Sequence, residues 1–147
     1  MNKDIHPIAR ITSFLSSLEP ASLGKLDDHY TRDIDFRDPI NQGDGIDDLQ
    51  AIFADLFKQL DNIRMDVTSS QGDEREAFLR WNMYYEFRGK KRELPGVSFF
   101  LFAKDGRVMR QEDFWDASSG VFEEFPGLAT LIRGARRMAR VRPDRHH

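Results

Sequence analysis

The chain of 147 residues contains no cysteine. Disulfides, cysteine-ligated zinc and thiol nucleophiles are therefore excluded. No apolar run approaches the ~20 residues that a membrane helix needs. The first residues, MNKDIHPIARITSF, lack a basic start, an apolar stretch and a small-residue cleavage site, so a cytoplasmic chain is expected. His6, His29, His146 and His147 share no metal-binding spacing, and no metal is expected. Gly43-Asp44-Gly45 lacks the Lys and Ser/Thr of a phosphate loop. No nucleophile elbow surrounds a serine, and no stacking signature for RNA occurs. Repeats, low-complexity tracts and linkers are also absent.

What remains suits one domain over 1–147. The 39% hydrophobic content supplies one core, and the 32% charged content keeps its surface wet. Residues 133–147 hold six arginines and one aspartate, so this end carries +5 within a net charge of −3 and the body carries −8. Such a body repels nucleic acid. The basic segment, about 127–147, reads as a solvated last helix with cations at its favoured end. The alternative is a segment that binds an acidic partner or a phosphate surface.

Periodicity divides the chain. Ile8, Ile11, Leu15 and Leu18 recur at helical spacing over 5–19, with Phe14 beside them. Pro20 suits the first turn of a second helix, with Leu23, Leu26 and Tyr30 on its inner face. Residues 32–38 alternate as a strand, with Ile34 and Phe36 on one side and Asp33, Asp35 and Arg37 on the other. NQGDG at 41–45 reads as a loop, and 46–60 as a helix with a wide apolar stripe.

Beyond residue 61 the period becomes two. Ile63, Met65 and Val67 mark one strand. Residues 75–88 make a second, with Trp81, Met83, Tyr85 and Phe87 on one face. Residues 96–104 are apolar on both faces and predict a central strand covered twice. Lys104-Asp105-Gly106 makes a hairpin turn, 107–116 a last strand, and 122–140 a turn and final helix. The order ααβαββββα predicts an α+β fold, a curved antiparallel sheet with helices on one side enclosing a pocket.

Asp38 is the most informative polar residue. It falls on the Ile34/Phe36 face, where burial raises a carboxyl pKa and makes a usable base. An Asp before Pro can instead cap the following turn. Trp81, Met83, Tyr85, Phe100 and Trp115 can line a pocket for an apolar ligand, or simply fill the core. On the last strand one face carries Met109, Gln111, Asp113 and Trp115, and the other Val108, Arg110, Glu112 and Phe114. If the first face points inward, Asp113 is a second inner carboxylate and the two pKa values are pushed apart. The alternative is a wet outer face used for subunit contact.

Three stretches, YTRDIDFRDP at 30–39, FLRWNMYYEFRG at 78–89 and VSFFLFAKDGRVMRQEDFWD at 97–116, together resemble the nuclear transport factor 2-like superfamily. The likeness is to its SnoaL-like and ketosteroid isomerase-like members. The resemblance covers roughly residues 8–120. It implies a cone-shaped, cystatin-like fold with a deep cavity, often paired as a homodimer through the sheet. In the steroid isomerases the Asp of the Asp-Pro step is the general base, and Asp38 matches it. Their oxyanion donors, a tyrosine and a protonated aspartate, match Phe14 and Ser98 here. Losing one such donor can cost ~3 kcal/mol of transition-state stabilisation, so steroid isomerisation by that route is not expected.

The resemblance also places Gln111 and Asp113 inward. The candidate set is therefore Asp38 and Asp113 for chemistry. Phe14, Tyr30, Trp81, Met83, Tyr85, Ser98, Phe100, Gln111 and Trp115 are the candidates for ligand contact. One expectation is a cofactor-independent isomerase, cyclase or hydratase acting on a small apolar molecule. The other is a non-catalytic ligand-binding or protein-association module, since a fold hosts many functions.

Overall fold

A computed structural model describes residues 5–117. The predicted final helix and the basic segment lie outside the described residues. Helix α1 (Pro7–Ser16) starts with Pro7 in its first turn, and His6 Nδ1 accepts from the Ile8 amide at 3.1 Å. The second helix is a 3₁₀ turn (Pro20–Lys25) running into a short α2 (Leu26–His29). Tyr30 leaves that helix and opens strand β1 (Tyr30–Arg37).

The predicted loop 41–45 contains a short strand, β2 (Gln42–Asp44), antiparallel to β1. Helix α3 (Ile46–Gln59) begins after Gly45, whose φ of 90° suits glycine, and has Asp47 and Asp48 at the positive end of its dipole. Strands β3 (Asp61–Gly72), β4 (Glu76–Phe87), β5 (Lys90–Phe102) and β6 (Val108–Trp115) complete the chain.

The six strands form one curved sheet in the order β2-β1-β6-β5-β4-β3. Every pairing is antiparallel except β1 with β6, which is parallel. Helix α1 packs on β3 at one edge, and α3 on β1 and β2 at the other. The helices thus bridge the inner face of the sheet. Among the described residues, no helix is long and apolar enough to cross a membrane.

Three details depart from alternation read off the sequence. Strand β5 begins at Lys90, six residues earlier than predicted, and includes Pro95. Pairing with β6 starts only at Gly96, so the missing Pro95 N–H costs no ladder bond to that strand. The outer side of β5 is not covered by the described residues, and Val97 is exposed. On β6 a bulge lies between the pairs Leu101–Arg110 and Phe102–Val108. It reverses the sides of two residues: Val108 is buried and Met109 exposed, while Gln111, Asp113 and Trp115 stay inward.

The core has two parts. Phe14, Tyr30, Phe100, Phe102 and their neighbours fill the narrow end, and Phe36 of the same cluster also lines the cavity described below. Trp81, Met83, Tyr85, Leu94, Ile40 and Leu60 form the wide end. Phe100 has no exposed surface, and its ring stacks on Phe102 at 6.3 Å. Phe100→Ala is expected to lower stability by about 3–5 kcal/mol in urea unfolding, because the packed narrow end has no way to collapse around the void. A loss under ~1 kcal/mol would show that it does collapse.

Candidate active site

The wide end borders a partly open cavity of about 100 Å³, to whose wall Leu15, Phe36 and Phe53 of the first cluster also contribute. An apolar cavity of ~150 Å³ accepts benzene, so a ring-sized group sets the scale of what fits without rearrangement. Its wall is mostly aliphatic and aromatic, from α1, α3 and the inner sheet face. Asp38, Asn41, Ser98, Gln111 and Asp113 supply its polar groups, and no Lys, Arg or His is among the described residues of the wall.

Asp38 and Asp113 come together because β1 and β6 run parallel. Arg37 pairs with Glu112; Asp38 follows immediately after the end of β1, and Asp113 is the next residue on β6. A second depression, lined by Arg37, Pro39, Glu112 and Phe114, reaches the same two carboxyls. Neither aspartate has a cationic partner in an ion pair among the described residues, whereas Asp35 and Glu112 on the outer face pair with Arg110.

The two environments differ. Asp38 Oδ1 accepts from the Ile40 and Asn41 amides at 2.7 and 2.5 Å, and Oδ2 from Asn41 Nδ2 at 3.1 Å. Burial raises the Asp38 pKa, and these three bonds oppose the rise. The same bonds cap the turn after Asp38, which is the structural role considered from sequence.

Asp113 sits at the end of two hydrogen-bond chains. Trp81 Nε1 donates to Ser98 Oγ at 2.8 Å, and Ser98 Oγ donates to Asp113 Oδ1 at 2.5 Å. The Tyr30 hydroxyl donates to Gln111 Oε1 at 2.8 Å, and Gln111 Nε2 donates to the same Oδ1 at 3.0 Å. Burial holds Tyr30 well above its ordinary pKa, with the charge of Asp113 adding to the rise, so it remains a donor. The Asp113 pKa is pushed up to about 7, first by burial and further by the charge of Asp38, against the pull of Ser98 and Gln111. Both donors converge on Oδ1, which leaves Oδ2 to carry the proton.

Of the residues predicted from sequence, Asp38, Trp81, Met83, Tyr85, Ser98, Gln111, Asp113 and Trp115 line this cavity. Phe14, Tyr30 and Phe100 do not. They belong to the packed narrow end, and Tyr30 reaches the site only through Gln111. Asn41, Met65 and Leu94 line the wall without having been singled out. The Asp-Pro-Ile-Asn turn signalled the first, and the alternation of Ile63, Met65 and Val67 the second. Leu94 was hidden by Pro95, which masks the start of β5.

The sequence model of the SnoaL-like domain matches residues 11–111, and the chain belongs to that family. Solved structures share its fold. PrhC from Penicillium brasilianum NBRC 6234 superposes with a TM-score of 0.73 at 11% identity, over 91% of this chain and 98% of that one. An LEH-like epoxide hydrolase of M. tuberculosis gives 0.65 at 13% identity, over 91% and 92%. A hypothetical protein with a ketosteroid isomerase-like fold from Catenulispora acidiphila DSM 44928, in complex with trimethylamine, gives 0.64 at 13% identity, over 77% and 87%. At these identities the likeness establishes the fold alone. No curated protein matches the chain.

Proposed function

We propose that this SnoaL-like domain binds a small, mostly apolar molecule and moves a proton on it without a cofactor, in an isomerisation, cyclisation or hydration. The observation that carries this is the pairing of Asp38 and Asp113 in one apolar cavity, with surroundings that separate their acidities. Asp38, braced by three donors, is the ionised partner and the base. Asp113, with its free Oδ2, is the acid that donates to an oxygen on the ligand. With two acids and no cation in the described wall, the cavity selects against anions. A neutral carbonyl or hydroxyl compound meets these conditions.

The test is deuterium incorporation from D₂O at carbons beside the carbonyl of small cyclic ketones and enones, followed by proton NMR. Protein-dependent exchange is the expected result. Binding across the panel without any exchange would overturn the catalytic part. It would favour a ligand-binding module in which Asp38 only braces its turn, the alternative that its three local hydrogen bonds support.

The pH dependence of binding follows from the same assignment. A ketone oxygen takes a hydrogen bond from protonated Asp113. Affinity for cyclohexanone, measured by calorimetry, is therefore expected to be full below the Asp113 pKa of about 7 and to fall as pH rises through it. Affinity that increases over this window would mean that the ligand does not use that proton.

A further inference from the structure

Gly96 stands between two tryptophans. It pairs with Trp81 on β4 and with Trp115 on β6, and all three positions belong to the inner face. A Cβ built at Gly96 would lie 2.5 Å from Trp81 Cζ2 and 2.9 Å from Cζ3, with Cη2 closer still. No real side chain tolerates such contacts. The atoms in the way are the far edge of a rigid, buried ring, which has no flexible tip to bend aside. The indole therefore lies across the bare backbone of β5, in space that only glycine leaves open.

That placement has a chemical consequence. An indole N–H only donates. Lying where it does, Trp81 occupies an acceptor position on Ser98 Oγ and leaves the serine proton for Asp113. Ser98 and Asp113 are themselves direct partners across β5 and β6. The order Gly96, Trp81, Ser98, Asp113 is thus a chain of contacts in which only the last carries the acid.

We propose that Gly96 is a positioning residue for the acid: by leaving room for the Trp81 indole it fixes the direction of the Ser98 hydrogen bond and so tunes the proton affinity of Asp113. Gly96 is not among the residues that line the cavity, and it acts through Trp81. The inference rests on the acid role given to Asp113 above. Its test is made on the ligand-free chain, so a failed exchange assay would leave the outcome standing.

The experiment is carboxyl carbon NMR titration of Asp113, assigned by the loss of its signal in Asp113→Asn. Trp81→Phe keeps a ring but removes the donor, and Gly96→Ala displaces the indole. Both are expected to raise the Asp113 midpoint, by about half a pH unit or more, because the bond favouring the ionised form weakens. In the double variant, Gly96→Ala is expected to add nothing to Trp81→Phe, since the smaller ring leaves room and the relay is already cut. A Gly96→Ala protein that loses thermal stability while its Asp113 midpoint stays put would overturn the proposal and leave Gly96 a packing residue. If Gly96→Ala does not fold, an unmoved midpoint in Trp81→Phe overturns it equally, and a raised one supports it.

Discussion

Asp38→Asn is expected to lower protein-dependent deuterium exchange by about 10²–10⁴-fold, the usual contribution of a positioned base. The amide keeps one oxygen that can accept from the Ile40 and Asn41 amides, as Oδ1 does now. Its nitrogen faces Asn41 Nδ2, and that side chain must turn over or lose its bond. The cost to stability is about 1 kcal/mol. A large fall in exchange beside a small fall in thermal stability therefore separates chemistry from bracing. Exchange that persists in Asp38→Asn would remove Asp38 from the mechanism, and exchange lost only through unfolding would leave it a turn brace.

Asp113→Asn is expected to stabilise the fold at alkaline pH. In the unfolded chain an aspartate ionises near 3.8, whereas in the folded state Asp113 does so at about 7. Between these values the folded state holds a proton that the unfolded state has released. Stability therefore falls as pH rises through this window, and the loss is complete above it. The shift corresponds to a penalty on the order of 4 kcal/mol at about pH 8, and to almost none near pH 4. Asparagine removes the titration and keeps an acceptor for Ser98 and Gln111. Urea unfolding of both proteins at about pH 5 and pH 8 checks this. An equal difference at the two pH values would mean that burial does not hold the Asp113 proton.

Part of this site was legible in the sequence. Alternation put Ile34, Phe36 and Asp38 on one face of β1, and Trp81, Met83 and Tyr85 on one face of β4. The cavity wall includes all of them but Ile34, which is core. Side-chain direction in a strand is local, so a pattern two residues long is enough to reveal it. Where the pattern was interrupted the inference failed. The bulge on β6 exchanged the sides of Val108 and Met109 while leaving Asp113 inward. Pro95 concealed the first half of β5 and with it Leu94. Phe100 points inward as its position requires, yet lies at the narrow end, because direction does not say how far along the cone a residue sits.

By itself the sequence determined most of the elements and faces and put Asp38 on the Ile34/Phe36 side, since each depends on neighbours a few residues away; it missed β2, the first half of β5 and the sides of Val108 and Met109. It did not determine that Asp113 lies beside Asp38. That follows from the parallel pairing of β1 with β6, the first and last strands of the described residues. Nor did it determine which of the two acids keeps its proton. Acidity is set by what surrounds a carboxyl in space: three turn donors on Asp38, and burial with two converging donors on Asp113. Those surroundings exist only once the sheet has curved and the helices have closed over it.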